Sequence, residues 1–167
     1  MSRAFVKESD DDLAAGELPE RPLPPHVNYV TASGLEALQA RVRELGVLHE
    51  RLKRESEEDS AARQKLREVE RDLRYFHSQL ERATPVDTAN QPREQVHFGA
   101  IVKIEDDEAA EQEFAIVGDD EADVSAGKIS WASPLARAMI GARVGDTITW
   151  HRPAGEAELH IVDIRYP

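Results

Sequence analysis

Between residues 31 and 83, apolar positions recur at alternating steps of three and four. One run is Leu35, Leu38, Val42, Leu45, His49 and Leu52, and the next is Ala62, Leu66, Val69, Leu73, Phe76, Leu80 and Ala83. Such steps put every member on one face of a helix, so each run predicts an amphipathic helix with a coiled-coil seam. Only the polar stretch KRESEEDSAAR, residues 53–63, separates the seams, and it is long enough only for a turn. The two helices should therefore fold back on each other as an antiparallel hairpin. Pairing Leu38 with Phe76, Leu45 with Val69 and Leu52 with Ala62 gives one common midpoint, residue 57. Ser33 and Glu36 have the capping-box spacing for the first helix, and Ser56 with Asp59 can cap the returning one.

Thr84-Pro85 ends the helical period, and from Val96 the pattern changes. VHFGAIVKIE, EFAIVG, KISWAS, TITWHR and ELHIVDIRY are short β-rich runs separated by Asp, Gly and Pro turns. One short helix interrupts them, with Ser133 as N-cap, Pro134 in its first position and Gly141 past its end. The expected fold class is α+β: an N-terminal antiparallel coiled-coil hairpin, then an antiparallel β-sheet domain with one short helix. The boundaries are an extended or disordered arm over 1–28, the hairpin over 29–86, a linker over 87–95 and the sheet domain over 96–167. The arm reading rests on a DDD run and on Pro19, Pro22, Pro24 and Pro25, which resist helix and favour polyproline-like stiffness.

Charge sharpens this division. The chain has 167 residues and a formal net charge of −12. The hairpin balances its many acids and bases, whereas the region after residue 83 is strongly acidic. Such a surface suits a basic partner and argues against autonomous binding of duplex DNA, where affinity comes from neutralising phosphates. There is no cysteine, which excludes disulfides, thiolate chemistry and Cys-based zinc sites. No apolar run approaches the ~20 residues of a membrane helix, and the N-terminus has no apolar signal core. A cytoplasmic monomer that does not bind membranes is expected.

The candidate chemistry is concentrated at the hairpin midpoint. Glu55, Glu57, Glu58 and Asp59 place four carboxylates within five positions. Arg51, Lys53, Arg54, Arg63 and Lys65 flank them, and Arg67, Arg71 and Arg74 follow along the second helix; these suit either RNA or i,i+4 ion pairs on a solvated face. His49 interrupts the seam without a second histidine at metal spacing. A second acid group, Asp119, Asp120, Glu121 and Asp123, reads as an exposed turn. Trp131 and Trp150 read as core or groove aromatics.

Several collinear segments resemble the bacterial GreA/GreB transcript-cleavage factors: HFGAIV, IVGDDEAD (116–123), ISWASPLARAMIG (129–141) and RPAGEAELHIVDIRY near the end. KLREVERDLRYF (65–76) looks like the GreB version of the second helix. The resemblance covers roughly residues 29–167. It implies an FKBP-like C-terminal domain that docks on the rim of the secondary channel of RNA polymerase. In that family the hairpin enters the channel, and its tip acids help hold a second Mg²⁺ and a water while the polymerase hydrolyses backtracked RNA. The factor is then a donor of ligands, binding no cofactor alone, and not an enzyme. The nascent RNA 3′ end is a further contact. Carried over, Glu55 and Glu58 are the catalytic and metal-binding acids, with Glu57 and Asp59 beside them. Arg51, Lys53, Arg54, Arg63 and Lys65 face RNA or channel wall, and Asp119, Asp120, Glu121, Asp123, Ser133, Pro134 and Arg137 face the polymerase.

The tip departs from the family pattern Asp-x-x-Glu-Asn-Ala-(Glu/Asp)-Tyr. Aligned back from KLREVE, Glu55 and Glu58 fall on two of its acids. Leu52 falls on the Asp, and Ser56 and Asp59 replace the Asn and Tyr. The hairpin is also about two heptads short, which at ~1.5 Å per residue removes about 10 Å of reach. The relative Rnk shares such a shortened coil. The resemblance thus leaves two expectations: a cleavage-assisting elongation factor, or a non-catalytic regulator that competes for the same channel. A peptidyl-prolyl isomerase has only the shape of the domain behind it, and fold does not carry function.

Overall fold

The computed structural model describes residues 18–167; the part of the expected arm over 1–17 lies outside them. The hairpin is formed by α1 (Ala32–Glu55) and α2 (Ser60–Glu81). Leu45, Leu52, Ala62 and Val69 are buried together between the helices, with Leu48, Leu66, Leu73 and Phe76 packed against them. At ~1.5 Å per residue the 24-residue α1 is about 36 Å long.

A strand precedes the hairpin and another follows it. β1 (Asn28–Val30) pairs in parallel with β2 (Ala83–Pro85), tying the two ends of the hairpin together. This pairing moves the start of α1. Extended by β1, Thr31 (φ −76°, ψ 167°) becomes the N-cap, and its side chain accepts from the Gly34 N–H at 3.0 Å. The expected Ser33–Glu36 box is not used; Ser33 Oγ lies 3.0 Å from Thr31 Oγ1.

After a 3-10 turn at Thr88–Asn90, five strands form one sheet: β3 (Ile101–Asp106), β4 (Glu111–Val117), β5 (Lys128–Ser130), β6 (Thr147–Arg152) and β7 (Gly155–Arg165). Their order is β5-β4-β3-β7-β6. The sheet is mixed, where an antiparallel one was expected. Two 3-10 turns at 119–121 and 124–126 carry the chain back so that β5 runs parallel to β4. The helix α3 (Pro134–Met139) starts as the sequence predicts, with Ser133 Oγ accepting from the Ala136 N–H at 3.3 Å. It buries Leu135, Ala136 and Met139 against Val96, Val102, Ile116, Ile148 and Ile161. The 87–95 segment packs against the sheet domain: Gln95 donates to the Gly141 carbonyl at 2.7 Å, and Gln91 donates to the Phe98 carbonyl at 3.4 Å.

The arm is likewise not free where it is described. Arg82 donates to the carbonyls of Pro24 and His26, both at 2.8 Å, and Arg74 grips the Glu20 carboxylate at 2.6–3.1 Å. The Arg21 guanidinium lies 3.9 Å over the Tyr75 ring. Residues 18–27 therefore lie along α2.

Candidate functional site

The tip is built by two helix ends. Lys53 and Arg54 stand in the last turn of α1, where cations offset the negative end of the helix dipole. Ser56 closes α1: its N–H reaches the Leu52 carbonyl, and its hydroxyl donates to the Lys53 carbonyl at 3.0 Å. Asp59 opens α2, extended at φ −122°, ψ 119°, and its carboxylate accepts from the Ala61 N–H at 2.9 Å. The Ser56–Asp59 pattern thus splits, one residue serving each helix. Asp59 is a cap first, because α2 has unpaired N–H groups to satisfy at that point.

All four tip acids are exposed. Glu55 lies 3.7 Å from Arg51, one turn back. Among the described residues Glu57 and Glu58 have neither a side-chain hydrogen bond nor an ion pair, and no three His, Asp or Glu side chains are grouped to hold a metal. The donor set is nevertheless of the right kind for Mg²⁺, which takes hard oxygen ligands and keeps several waters. One or two such carboxylates complete a site that another macromolecule supplies; they do not make one alone.

The cations flanking the tip divide into two groups. Lys65 pairs with Glu68 at 3.0 Å and Arg51 with Glu55, as a solvated helix face predicts. Lys65 holds the Glu68 carboxyl below its usual range. Lys53, Arg54 and Arg63 are exposed and have no ion pair among the described residues. His49 sits half-buried in the seam, Nε2 3.3 Å from Glu70, as a tolerated polar interruption.

The second acid group is only in part the expected exposed turn: Asp120 and Asp123 are exposed, while Asp119 and Glu121 are half-buried. Asp119 receives the Ser130 hydroxyl at 2.6 Å and lies 2.6 Å from His26 Nε2. Asp120 accepts from the Tyr75 hydroxyl at 2.9 Å and from Gln79 Nε2 at 2.8 Å. Burial, reinforced by the charge of Asp120, pushes the Tyr75 phenol up to about 12. Glu121 accepts from the Thr31 hydroxyl and, at 3.1 Å each, from the N–H groups of Thr31 and Gly118. By taking the Thr31 proton, Glu121 leaves that hydroxyl's lone pairs facing Gly34 N–H, so a sheet-domain residue orients the cap of α1. Asp123 caps its own 3-10 turn, accepting from Ser125 N–H at 3.1 Å and the Ser125 hydroxyl at 2.5 Å.

Asp119, Asp120 and Glu121 therefore form a clasp between the base of the hairpin and the sheet domain. Two glycines permit the approach. A Cβ on Gly34 would collide with the Glu121 carboxylate, and one on Gly118 with the Tyr29 carbonyl. Aromatic packing backs the clasp, with Trp131 edge-on to Tyr29 at 5.0 Å and to His26 at 5.2 Å. Trp150 instead stands on the sheet, 5.5 Å from the Arg152 guanidinium. Ser133 and Pro134 act locally as helix-start residues, while Arg137 is exposed on α3. Tyr75, Gln79, Arg82 and His26, which complete the clasp, gave no sequence signal. The one available hint was a glutamine beside an apolar seam position, and Gln79 proves fully buried.

The family description "Transcription elongation factor, GreA/GreB, C-term" matches residues 91–166. Over 154 residues, 83% of this chain and 94% of the relative, the chain is 35% identical to transcription elongation factor GreB of Neisseria meningitidis serogroup B. It is 38% identical to transcription elongation factor GreA of Pseudomonas aeruginosa, over 84% of this chain and 87% of that one. Among solved structures, GreA factor homolog 1 of Thermus thermophilus matches at 27% identity, covering 84% of this chain and 99% of that one, with a TM-score of 0.40. With relatives 35% and 38% identical matched over most of their length, the chain belongs to the GreA/GreB family of transcription elongation factors.

Proposed function

We propose that this factor regulates elongation by bacterial RNA polymerase, docking through its sheet domain on the rim of the secondary channel and inserting the hairpin. The observation that carries this reading is the tip, where Glu57 and Glu58 are exposed and, among the described residues, without partners, at the end of two helices whose base is hydrogen-bonded to a second domain. Asp123, Ser133, Pro134 and Arg137 form the proposed docking face. Asp119, Asp120 and Glu121 contribute by fixing the hairpin's direction and not by touching the partner. The protein is an accessory factor; bond cleavage belongs to the polymerase active site, in the cytoplasm.

Within the channel, Glu55 and Glu58 would supply carboxylates to a Mg²⁺ shared with the polymerase, with Glu57 alongside. That ion's chemistry is activation of a water and stabilisation of the leaving oxygen. The chain's own task is positional: the two helix caps set where the turn sits, and Arg51 holds Glu55 toward α1. Arg54, Lys53, Arg63 and Lys65 face the channel wall or the RNA 3′ end.

A second reading, a non-catalytic occupant of the channel, is favoured by the length of the arms, 24 and 22 residues, and by Asp59 being committed to a helix cap. A carboxylate must lie within ~2.0–2.1 Å of Mg²⁺ to ligate it, so a deficit of reach is decisive. A backtracked elongation complex incubated with the protein and Mg²⁺ separates the two. Release of a short 3′ RNA fragment, lost in Glu55→Ala/Glu58→Ala, supports cleavage assistance. Displacement of a GreA protein from the complex without fragment release supports occupancy alone. Failure to bind polymerase at all would end both.

A further inference from the structure

Asp119, Asp120 and Glu121 fill one 3-10 turn, and each takes a partner from a different segment of the chain. Asp119 lies 2.6 Å from Nε2 of His26 in the arm. Asp120 accepts from Tyr75 and Gln79 of α2, and Glu121 accepts from Thr31 at the head of α1. A 3-10 helix has three residues per turn, so three successive side chains leave it about 120° apart. The turn is thereby a three-way junction between the sheet domain and the base of the hairpin. Two point contacts between bodies leave an axis of rotation, and a third contact off that axis removes it. Here the third contact comes from the arm, which lies outside the 29–167 span that resembles the family.

We propose that the arm is the third leg of this junction, with His26 and Arg82 as positioning residues that fix the direction of the hairpin. His26 is half-buried, with its ring edge-on to Trp131 at 5.2 Å and Nε2 against Asp119, whose other oxygen accepts from the Ser130 hydroxyl at 2.6 Å. Arg82, the C-cap of α2, ties that leg to the helix. Its Nη2 donates to the carbonyls of Pro24 and His26 at 2.8 Å each, and its Nη1 donates to Gln79 Oε1 at 3.2 Å. Gln79, fully buried, passes the tie on by donating from Nε2 to Asp120 at 2.8 Å. A guanidinium suits this task because its planar fork aims several donors at once. Direction matters through leverage. At ~1.5 Å per residue the 22-residue α2 is about 33 Å long, so a rotation of about 5° at its base moves the tip by about 3 Å. That displacement is larger than the ~2.0–2.1 Å bond a carboxylate makes to Mg²⁺. The role in delivery rests on the reading that the tip enters the polymerase.

The absence of cysteine permits a clean test. Nitroxides on Ala61→Cys beside the tip and Val162→Cys on the sheet domain, both exposed positions, report the hairpin's direction as an electron–electron distance. The full chain is measured without polymerase, so this inference and the polymerase reading fail separately. The doubly labelled parent should give one narrow distance distribution. His26→Ala should at least double its width, while Tyr29, still packed on Trp131, keeps the helical ellipticity at the parent's value. Arg82→Lys, a point charge that cannot serve three acceptors, should broaden it as well. Glu20→Gln, whose partner Arg74 belongs to α2 alone, should leave the width unaltered. A parent as broad as His26→Ala, or His26→Ala as narrow as the parent, overturns the third leg. An unaltered width in Arg82→Lys overturns the role of Arg82, and broadening in Glu20→Gln overturns the placing of the leg at the junction.

Discussion

Two groups of acids, Glu55–Asp59 and Asp119–Asp123, look alike in the sequence and fare differently in the fold. At the clasp, Asp119, Asp120 and Glu121 accept from Ser130, Tyr75, Gln79, Thr31 and Gly118, and contact His26 as well. At the tip, Glu57 and Glu58 accept from nothing among the described residues, and only Asp59 has a structural duty. The clasp acids hold the molecule together, and the tip acids are held out by it. The difference comes from what surrounds each turn. A loop wedged between a helix base and a sheet meets donors on every side, while a turn at the end of two helices meets solvent.

The sharpest way to break this contrast is to disturb the clasp. Gly118→Ala drives a methyl into the Tyr29 carbonyl, and Glu121→Ala orphans the Thr31 and Gly118 donors. Each should cost about 1–3 kcal/mol in denaturant unfolding, with the overpacking and unsatisfied-donor costs of similar size. Equal stability of either variant and parent would mean that the hairpin base and sheet domain are not coupled as described.

Asp59→Ala should cost about 1 kcal/mol through loss of the α2 cap, with Asp59→Asn or Asp59→Ser largely restoring it. Helical ellipticity and the unfolding midpoint check this, and they separate a capping acid from its neighbours in the same turn.

Tyr75 supplies a pH test of the clasp. Its folded pKa is raised, so the unfolded chain loses that proton near its ordinary value of 10, well before the folded chain does. The phenol's contribution is therefore fully present below pH 10 and is lost progressively as pH rises to about 12. Tyr75→Phe should remove this part of the alkaline decline, read by unfolding at pH 9, 10 and 11. An unaltered decline would place the Tyr75 hydroxyl outside the contact with Asp120.

The smallest effect on stability belongs to the exposed tip acids Glu57 and Glu58. Glu57→Gln/Glu58→Gln should leave the unfolding free energy within about 0.5 kcal/mol, as exposed substitutions do. The same double variant should change the protein's effect on a stalled elongation complex. A large loss of stability would show that these side chains serve the fold, and the contrast with the clasp would collapse.

Hairpin, midpoint and short helix were legible beforehand because each rests on local rules. Leu45, Leu52, Ala62 and Val69 lie together in the seam that their spacing requires, and Ser133-Pro134 announces α3 through cap chemistry within a few residues. The clasp was not legible, because it joins Glu121 to Thr31 and Asp120 to Tyr75 and Gln79 across wide separations in the chain. Nothing in GDDEAD distinguishes a solvated turn from a satisfied one. The first cap was misplaced for the same reason: only the β1–β2 pairing, formed between distant residues, holds Thr31 extended.

The sequence alone determined periodicity, and with it two antiparallel helices, a β-rich second half and a charged turn at residue 57, since these follow from side-chain spacing and backbone preference along a few turns of chain. Tertiary structure decided which carboxylates are consumed and which are offered, that β5 returns parallel to β4, and that residues 18–27 lie on α2. A carboxylate's role depends on the donors within about 3 Å of it, and those come from parts of the chain that only folding brings near.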